Sequence, residues 1–176
     1  MSTIDTLLAG GRLRPVDFGL LDDELPERGL VGTERFFGFL TNELPSIPSQ
    51  DAMLSALEQL ASLFNRYLTN TPLILNSPIS PLRHLEDAVW EFKTLDVRVF
   101  GWAVRKDYFV VDSGCDTKKL KAGNINYSAF INQTTWVRKN LGFQSGTYIT
   151  GSHPSNVIEK FVIPPRPKGG AVHRRR

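Results

Sequence analysis

Trp90 to Lys121 reads W-E-F-K-T-L-D-V-R-V-F-G-W-A-V-R-K-D-Y-F-V-V-D-S-G-C-D-T-K-K-L-K, and its patterning predicts a β-hairpin that leaves the sheet into a lysine cluster. Over Val97–Val104, alternation puts Val97, Val99, Gly101 and Ala103 on one face and Arg98, Phe100, Trp102 and Val104 on the other. Both faces carry apolar groups, as expected for a strand covered along most of its length. Arg105, Lys106 and Asp107 read as a polar turn, and Tyr108–Asp112 as a second β-branched and aromatic run that Gly114 ends. Asp116–Lys121 then places three lysines in four positions, a basic loop at a sheet edge.

Working outward, Ser49–Leu68 reads as a helix capped by Ser49. Its apolar stripe is Met53, Leu57, Leu60, Ala61, Phe64, Tyr67 and Leu68. Arg35–Leu40 is apolar enough for a short strand, with a helical turn opened by Thr33 as the alternative. Pro81, with Ser80 as cap, predicts a short helix that turns Leu82, Leu85 and Val89 inward and gives way to strand near Trp90. Tyr127–Leu141 predicts a long helix that buries Phe130, Ile131, Thr134, Val137 and Leu141, with Gly142 past its end. Val157–Ile163 fits a last edge strand. Residues 1–34, rich in Gly, Pro, Asp and Glu, read as an irregular acidic extension, and 164–176 as a disordered basic tail. The fold expected is α+β: a small antiparallel β-sheet packed against helices, in one domain over 35–163.

The 176 residues suffice for one good core. No apolar run approaches the roughly 18 residues of a membrane span, and the N-terminus lacks the order of a secretory signal, so the expected location is cytoplasmic. Cys115 is the one cysteine, which excludes an intrachain disulfide and reads as an ordinary thiol at a strand end. His84, His153 and His173 are too scattered for a metal-ligand spacing, and no cofactor is expected. Charge is uneven: residues 1–60 hold 10 acidic and 4 basic groups, and the remainder 8 and 17. A basic body of this kind points to an anionic partner.

The segment Leu82–Lys121 resembles the RelE/HigB superfamily of toxins, in particular its phage-derived HigB-like branch. The resemblance rests on V-W-E-F-K (Val89–Lys93), V-R-V-F (Val97–Phe100), Y-F-V-V (Tyr108–Val111) and D-T-K-K-L-K (Asp116–Lys121), followed by the Tyr127 helix. It extends over about residues 35–143. Where the family carries H-G-F before its lysines, this chain has Ser113-Gly114-Cys115.

The resemblance implies a metal-free mRNA endoribonuclease, acting on the ribosome or on free RNA. The RNA's own 2′-OH attacks the adjacent phosphate, and the protein positions the strand and moves protons. In that role Arg98, with Lys118 or Lys119, would be catalytic; Arg98 stabilises developing charge and a loop lysine acts as base. Lys93, Lys121, Arg83, His84, Trp102, Tyr127 and Arg138 would bind nucleic acid, the aromatics by stacking. Partners would be RNA and the ribosome, with an antitoxin or host protein, and no membrane. The alternative is a non-enzymatic phage or mobile-element protein that binds a host protein or nucleic acid through its basic face. A third reading is a nucleic-acid-binding module that relies on the tail and the lysine loop.

Overall fold

The computed structural model describes residues 3–19, 26–75 and 80–165. The tail expected over 164–176 lies almost wholly outside them, as does the acidic run at 22–24. Among the described residues no helix is long and apolar enough to cross a membrane.

The predicted hairpin is the centre of the fold. Strands β6 (Val97–Arg105) and β7 (Tyr108–Asp116) pair antiparallel about a turn in which Asp107 takes φ 58°. Asp tolerates that left-handed conformation better than most residues. Gly114 does not end β7. It sits inside the strand because a Cβ there would come within 2.3 Å of the Phe39 ring. Flanking strands complete a six-stranded sheet in the order β1 (Leu13–Pro15), β2 (Gly29–Thr33), β7, β6, β5 (Trp90–Lys93), β4 (Leu82–His84). All neighbours are antiparallel except β2 and β7, which run parallel with Gly32 opposite Val111.

Helices cover both faces, which is why neither face of β6 is polar. On one side α2 (Glu34–Asn42) and α3 (Ala56–Leu68) bring Phe36, Phe39, Leu60, Phe64 and Tyr67 onto Phe92, Val99, Phe109 and Val111. Each phenylalanine buried there is worth about 2 kcal/mol. On the other side α1 (Thr3–Ala9) and the far end of α5 (Tyr127–Asn140) enclose Trp102, Val110 and Phe143. Nearer the start of α5, Phe100, Cys115, Leu120 and Ile131 pack together, Leu120 coming from α4 (Thr117–Lys121).

Several expectations are corrected. Residues 1–34 are not an irregular extension: α1, β1 and β2 lie there, and Leu30 and Val31 are core residues. Their short apolar groups found partners only across a long sequence separation. Arg35–Leu40 is helical, with Thr33 Oγ1 accepting from the Phe36 N–H at the N-cap. Helix α3 begins at Ala56, not near Ser49, because Ser55 and Glu58 form a reciprocal capping box. Ser49–Leu54 is instead a loop tied to buried Asp96, and Met53 and Leu57 are exposed rather than part of the stripe. Pro81 opens a strand, not a helix. Arg83 pairs with Glu91 through a turn in which Asp87 and Ala88 both take positive φ. The lysine cluster is a helix, not a loop: Asp116 caps α4 by accepting from the Lys118 N–H at 2.7 Å. Only Phe161–Val162 of the expected last strand is extended (β8). It pairs with β3 (Leu73–Ile74) in a separate two-stranded parallel sheet, after α6 (Pro154–Val157).

Candidate functional site: a cationic cleft

The pleat sorts the β4–β5–β6 side chains by face. Arg83, Glu91, Lys93 and Arg98 share the α5 face, where Arg83 lies opposite Glu91 and Lys93 opposite Arg98. Trp90 and His84 fall on the opposite face, their rings edge to face at 5.1 Å. The start of α5 brings Tyr127 over the first group, and the end of α4 brings Lys121.

The result is a cleft of about 800 Å³, lined on one side by Arg83, Lys93, Arg98, Lys121 and Tyr127. Leu75, Leu95, Pro154 and Ile163 supply an apolar wall. Glu91, buried completely, lies beneath the cations. Its carboxylate is 2.9 Å from Arg83 Nη2 and 4.0 Å from Arg98 Nε. The Arg83 guanidinium lies 5.5 Å from the Tyr127 ring centroid. One acid thus faces two arginines at the floor of the cleft.

Arg98 is held firmly. Only 5 % exposed, it donates from Nη1 to the Val97 carbonyl at 3.0 Å, to Thr117 Oγ1 at 2.8 Å and to the Thr94 carbonyl. Like charges directly opposite on paired strands repel, and Lys93 feels this. Partial burial, and then Arg98 beside it, hold its ammonium below the ordinary lysine value. Burial raises the Tyr127 hydroxyl, and Glu91 raises it further.

Five of the ten residues singled out from sequence therefore meet here: Arg83, Lys93, Arg98, Lys121 and Tyr127. The other five do not line the cleft. Lys118 and Lys119 are exposed on α4, whose period turns Thr117 and Leu120 inward, so neither shares the cavity with Arg98. His84 is half-buried on the far face, and burial lowers its pKa. Trp102 is fully buried against Phe143, with ring centroids 5.6 Å apart, and cannot stack on a base. Arg138 is 2 % exposed. It donates to the Asp87 and Ala88 carbonyls at 2.8 and 3.4 Å. Eleven residues along α5 from Tyr127, it is about 16 Å away and pins the β4–β5 turn.

Glu91, Thr117 and the apolar wall were not among the sequence candidates. Glu91 had a signal in W-E-F-K, where it lies two residues before Lys93 and so on the same strand face. Among the described residues no group of three or more His, Cys, Asp and Glu is placed to hold a metal ion. Burial pushes the Cys115 thiol up to about 12, far from a nucleophile's range.

No family model matches this chain, and neither does any curated protein or solved structure.

Proposed function

We propose that the cleft binds RNA through its phosphates and, in the manner of the RelE/HigB toxins that the segment Leu82–Lys121 resembles, cleaves it without a metal. The single observation that carries this reading is the convergence of Arg83, Lys93, Arg98 and Lys121 around one cavity with Tyr127 at its edge. Glu91 offsets only part of the charge of the four cations around the hollow, and the excess favours a phosphate. The element order supports the reading too. The strands β5, β6 and β7, the basic segment and α5 follow one another in the order that the resemblance implies, although β3 and β4 stand before them where it implies a helix.

In this scheme the RNA 2′-OH attacks the neighbouring phosphorus and the 5′-oxygen leaves. Lys93, its pKa lowered by burial and Arg98, is the group suited to take the 2′-OH proton once neutral. Arg83 and Lys121 neutralise the phosphate oxygens, and the Tyr127 hydroxyl, at the edge of the cleft, is assigned the proton transfer to the leaving oxygen. Lys118 and Lys119 meet flanking phosphates from α4.

The test is tightly induced expression in a bacterial host with 5′-end mapping of transcripts. Growth arrest with new mRNA ends is expected for the natural chain. It should be lost in Lys93→Gln and in the Arg83→Gln/Lys121→Gln double variant, and retained in Lys106→Gln on the distant β6–β7 turn. Normal growth with intact transcripts would exclude cleavage. It would favour a second reading, RNA binding without chemistry, which the engagement of Arg98 Nη1 with three protein acceptors supports.

A further inference from the structure

The cationic cleft has an apolar wall that phosphate binding does not use. Leu75, Leu95, Pro154 and Ile163 form it, and half of it, Pro154 and Ile163, lies beyond residues 35–143, so the resemblance does not account for it. Three separate pieces of chain build the wall. Leu95 stands in the β5–β6 turn, where its neighbour Asp96 is buried and held to the 49–54 loop by Ser49 and Gln50. Leu75 donates its N–H to the Val162 carbonyl at 2.7 Å, which fixes the chain just before Ile163. Pro154 opens α6.

Two large side chains of the wall are left in water. Leu95 is 49 % exposed and Ile163 57 % exposed, and both share a hollow of about 800 Å³ with Arg83, Lys93, Arg98 and Lys121. Binding a bare anion needs no such wall. A ligand that carries a charged group beside an apolar one uses both, and a nucleotide is such a ligand.

The exposure of the wall decides between a base and an acyl chain. A chain gains most where it is enclosed on every side, and half-exposed Leu95 and Ile163 make a shelf rather than a tunnel. A flat base buries one whole face on a shelf and keeps its polar edge free. Ser80 and Thr94 belong to the same lining. Their hydroxyls donate to the Leu82 and Val97 carbonyls and keep lone pairs that can accept from that edge.

We infer that Leu95 and Ile163 form a base subsite, where one unpaired nucleobase lies flat while its phosphate meets Arg83, Lys93 and Lys121. This rests on the RNA reading of the cleft and adds base recognition to it. The subsite is tolerant of sequence, because every base has a face to bury.

The experiment measures binding of the full-length chain to fluorescent 2′-fluoro hexauridylate, which lacks the 2′-OH needed for cleavage. Its counterpart carries the same phosphates with an abasic tetrahydrofuran unit at every position. The abasic oligomer should bind about tenfold more weakly. Leu95→Ser and Ile163→Ser, at exposed positions, should each weaken the base-bearing oligomer about threefold and leave the abasic one unchanged. Trp136→Ser, on the outer face of α5 with its ring 61 % exposed, should change neither. Equal affinity of the natural chain for the two oligomers overturns the base subsite and leaves the phosphate reading standing. Loss of discrimination in Trp136→Ser, but not in Leu95→Ser or Ile163→Ser, also overturns it and puts the base on α5. Binding of neither oligomer overturns the base subsite and the RNA reading together.

Discussion

Glu91 Oε1 lies 2.9 Å from Arg83 Nη2 across the β4–β5 pair, and the glutamate side chain is wholly buried while that of the arginine is 47 % exposed. The two ends of this ion pair therefore differ in what their loss costs. Removing Glu91 leaves Arg98, its other neighbour, buried without a counter-charge, whereas removing Arg83 leaves a carboxylate that keeps Arg98. Glu91→Ala should cost about 3 kcal/mol, and Arg83→Gln about 1 kcal/mol or less, since half of its side chain is already in water. Urea midpoints at unchanged m-value measure both. Equal losses would mean that Glu91 does not organise the floor of the cleft.

Asp96 anchors the 49–54 loop. Its carboxylate accepts from Ser49 Oγ, the Gln50 N–H and side chain, and Gln59 Nε2 at 2.5–3.2 Å. Burial alone would raise its pKa, but these donors outweigh burial and hold it below the ordinary 3.8. A depressed folded pKa gives stability that is complete above the unfolded value and lost as pH falls through the folded one. Asp96→Ala should therefore cost about 3 kcal/mol at neutral pH. Asp96→Asn should flatten the loss of stability below the ordinary carboxylate value. Identical acid unfolding curves for Asp96→Asn and the natural chain would refute the assignment.

Binding of a single-stranded RNA in the cleft should be steeply salt-dependent. Each neutralised phosphate contributes about 0.7 to the slope of log K against log salt. Arg83→Gln and Lys121→Gln should each reduce the slope by roughly that amount and weaken binding at every sequence alike. Lys106→Gln, on the turn at the far end of the hairpin, should leave the slope unchanged. Fluorescence anisotropy over a salt series measures the slopes, and three equal reductions would place RNA on the general surface rather than in the cleft.

Cys115 should be silent toward thiol reagents in the folded protein. It is 3 % exposed among Phe100, Leu120 and Ile131, and its pKa is about 12. At pH 8 the thiolate fraction is negligible, so a chromogenic disulfide should react only as fast as the chain opens. Adding urea beyond the transition should release one equivalent at once. Immediate reaction without denaturant would show that the β7 end is not closed as described.

What the sequence disclosed and what it hid divide along physical lines. The β6–β7 hairpin and the α5 helix were legible because each is long enough to show its pattern despite two register shifts in the hairpin, and half of the candidate residues met because W-E-F-K and V-R-V-F sit side by side in the sheet. Residues 3–33 were not, since β2 owes its strand to a parallel partner nearly eighty residues away, and no local pattern records that. Trp102 was misjudged because alternation predicts which face a side chain takes, not whether a helix covers that face. The helix over Lys118 and Lys119 was missed because a five-residue segment carries too little periodicity, though Asp116 is a proper cap. Pro81 misled because proline opens a strand edge as readily as a helix.

The β4–β5 turn offers a stabilising test. Ala88 adopts φ 56° and Asp87 φ 54°, a conformation that costs an L-residue with a Cβ roughly 1 kcal/mol or more. Arg138 offsets this cost by donating to both carbonyls. Glycine at position 88 would relieve the strain at some expense in unfolded-state entropy, and Ala88 makes only a small apolar contribution. Ala88→Gly should therefore raise stability by about 0.5 kcal/mol. In Arg138→Met, which removes the clamp but keeps the stem, the chain should lose about 2 kcal/mol, and adding Ala88→Gly should recover more than it gains in the natural background. A double-mutant cycle by thermal or urea unfolding measures that coupling. Strict additivity would show that Arg138 is held by its packing on Tyr148, 4.0 Å from that ring's centroid, and does not restrain the turn.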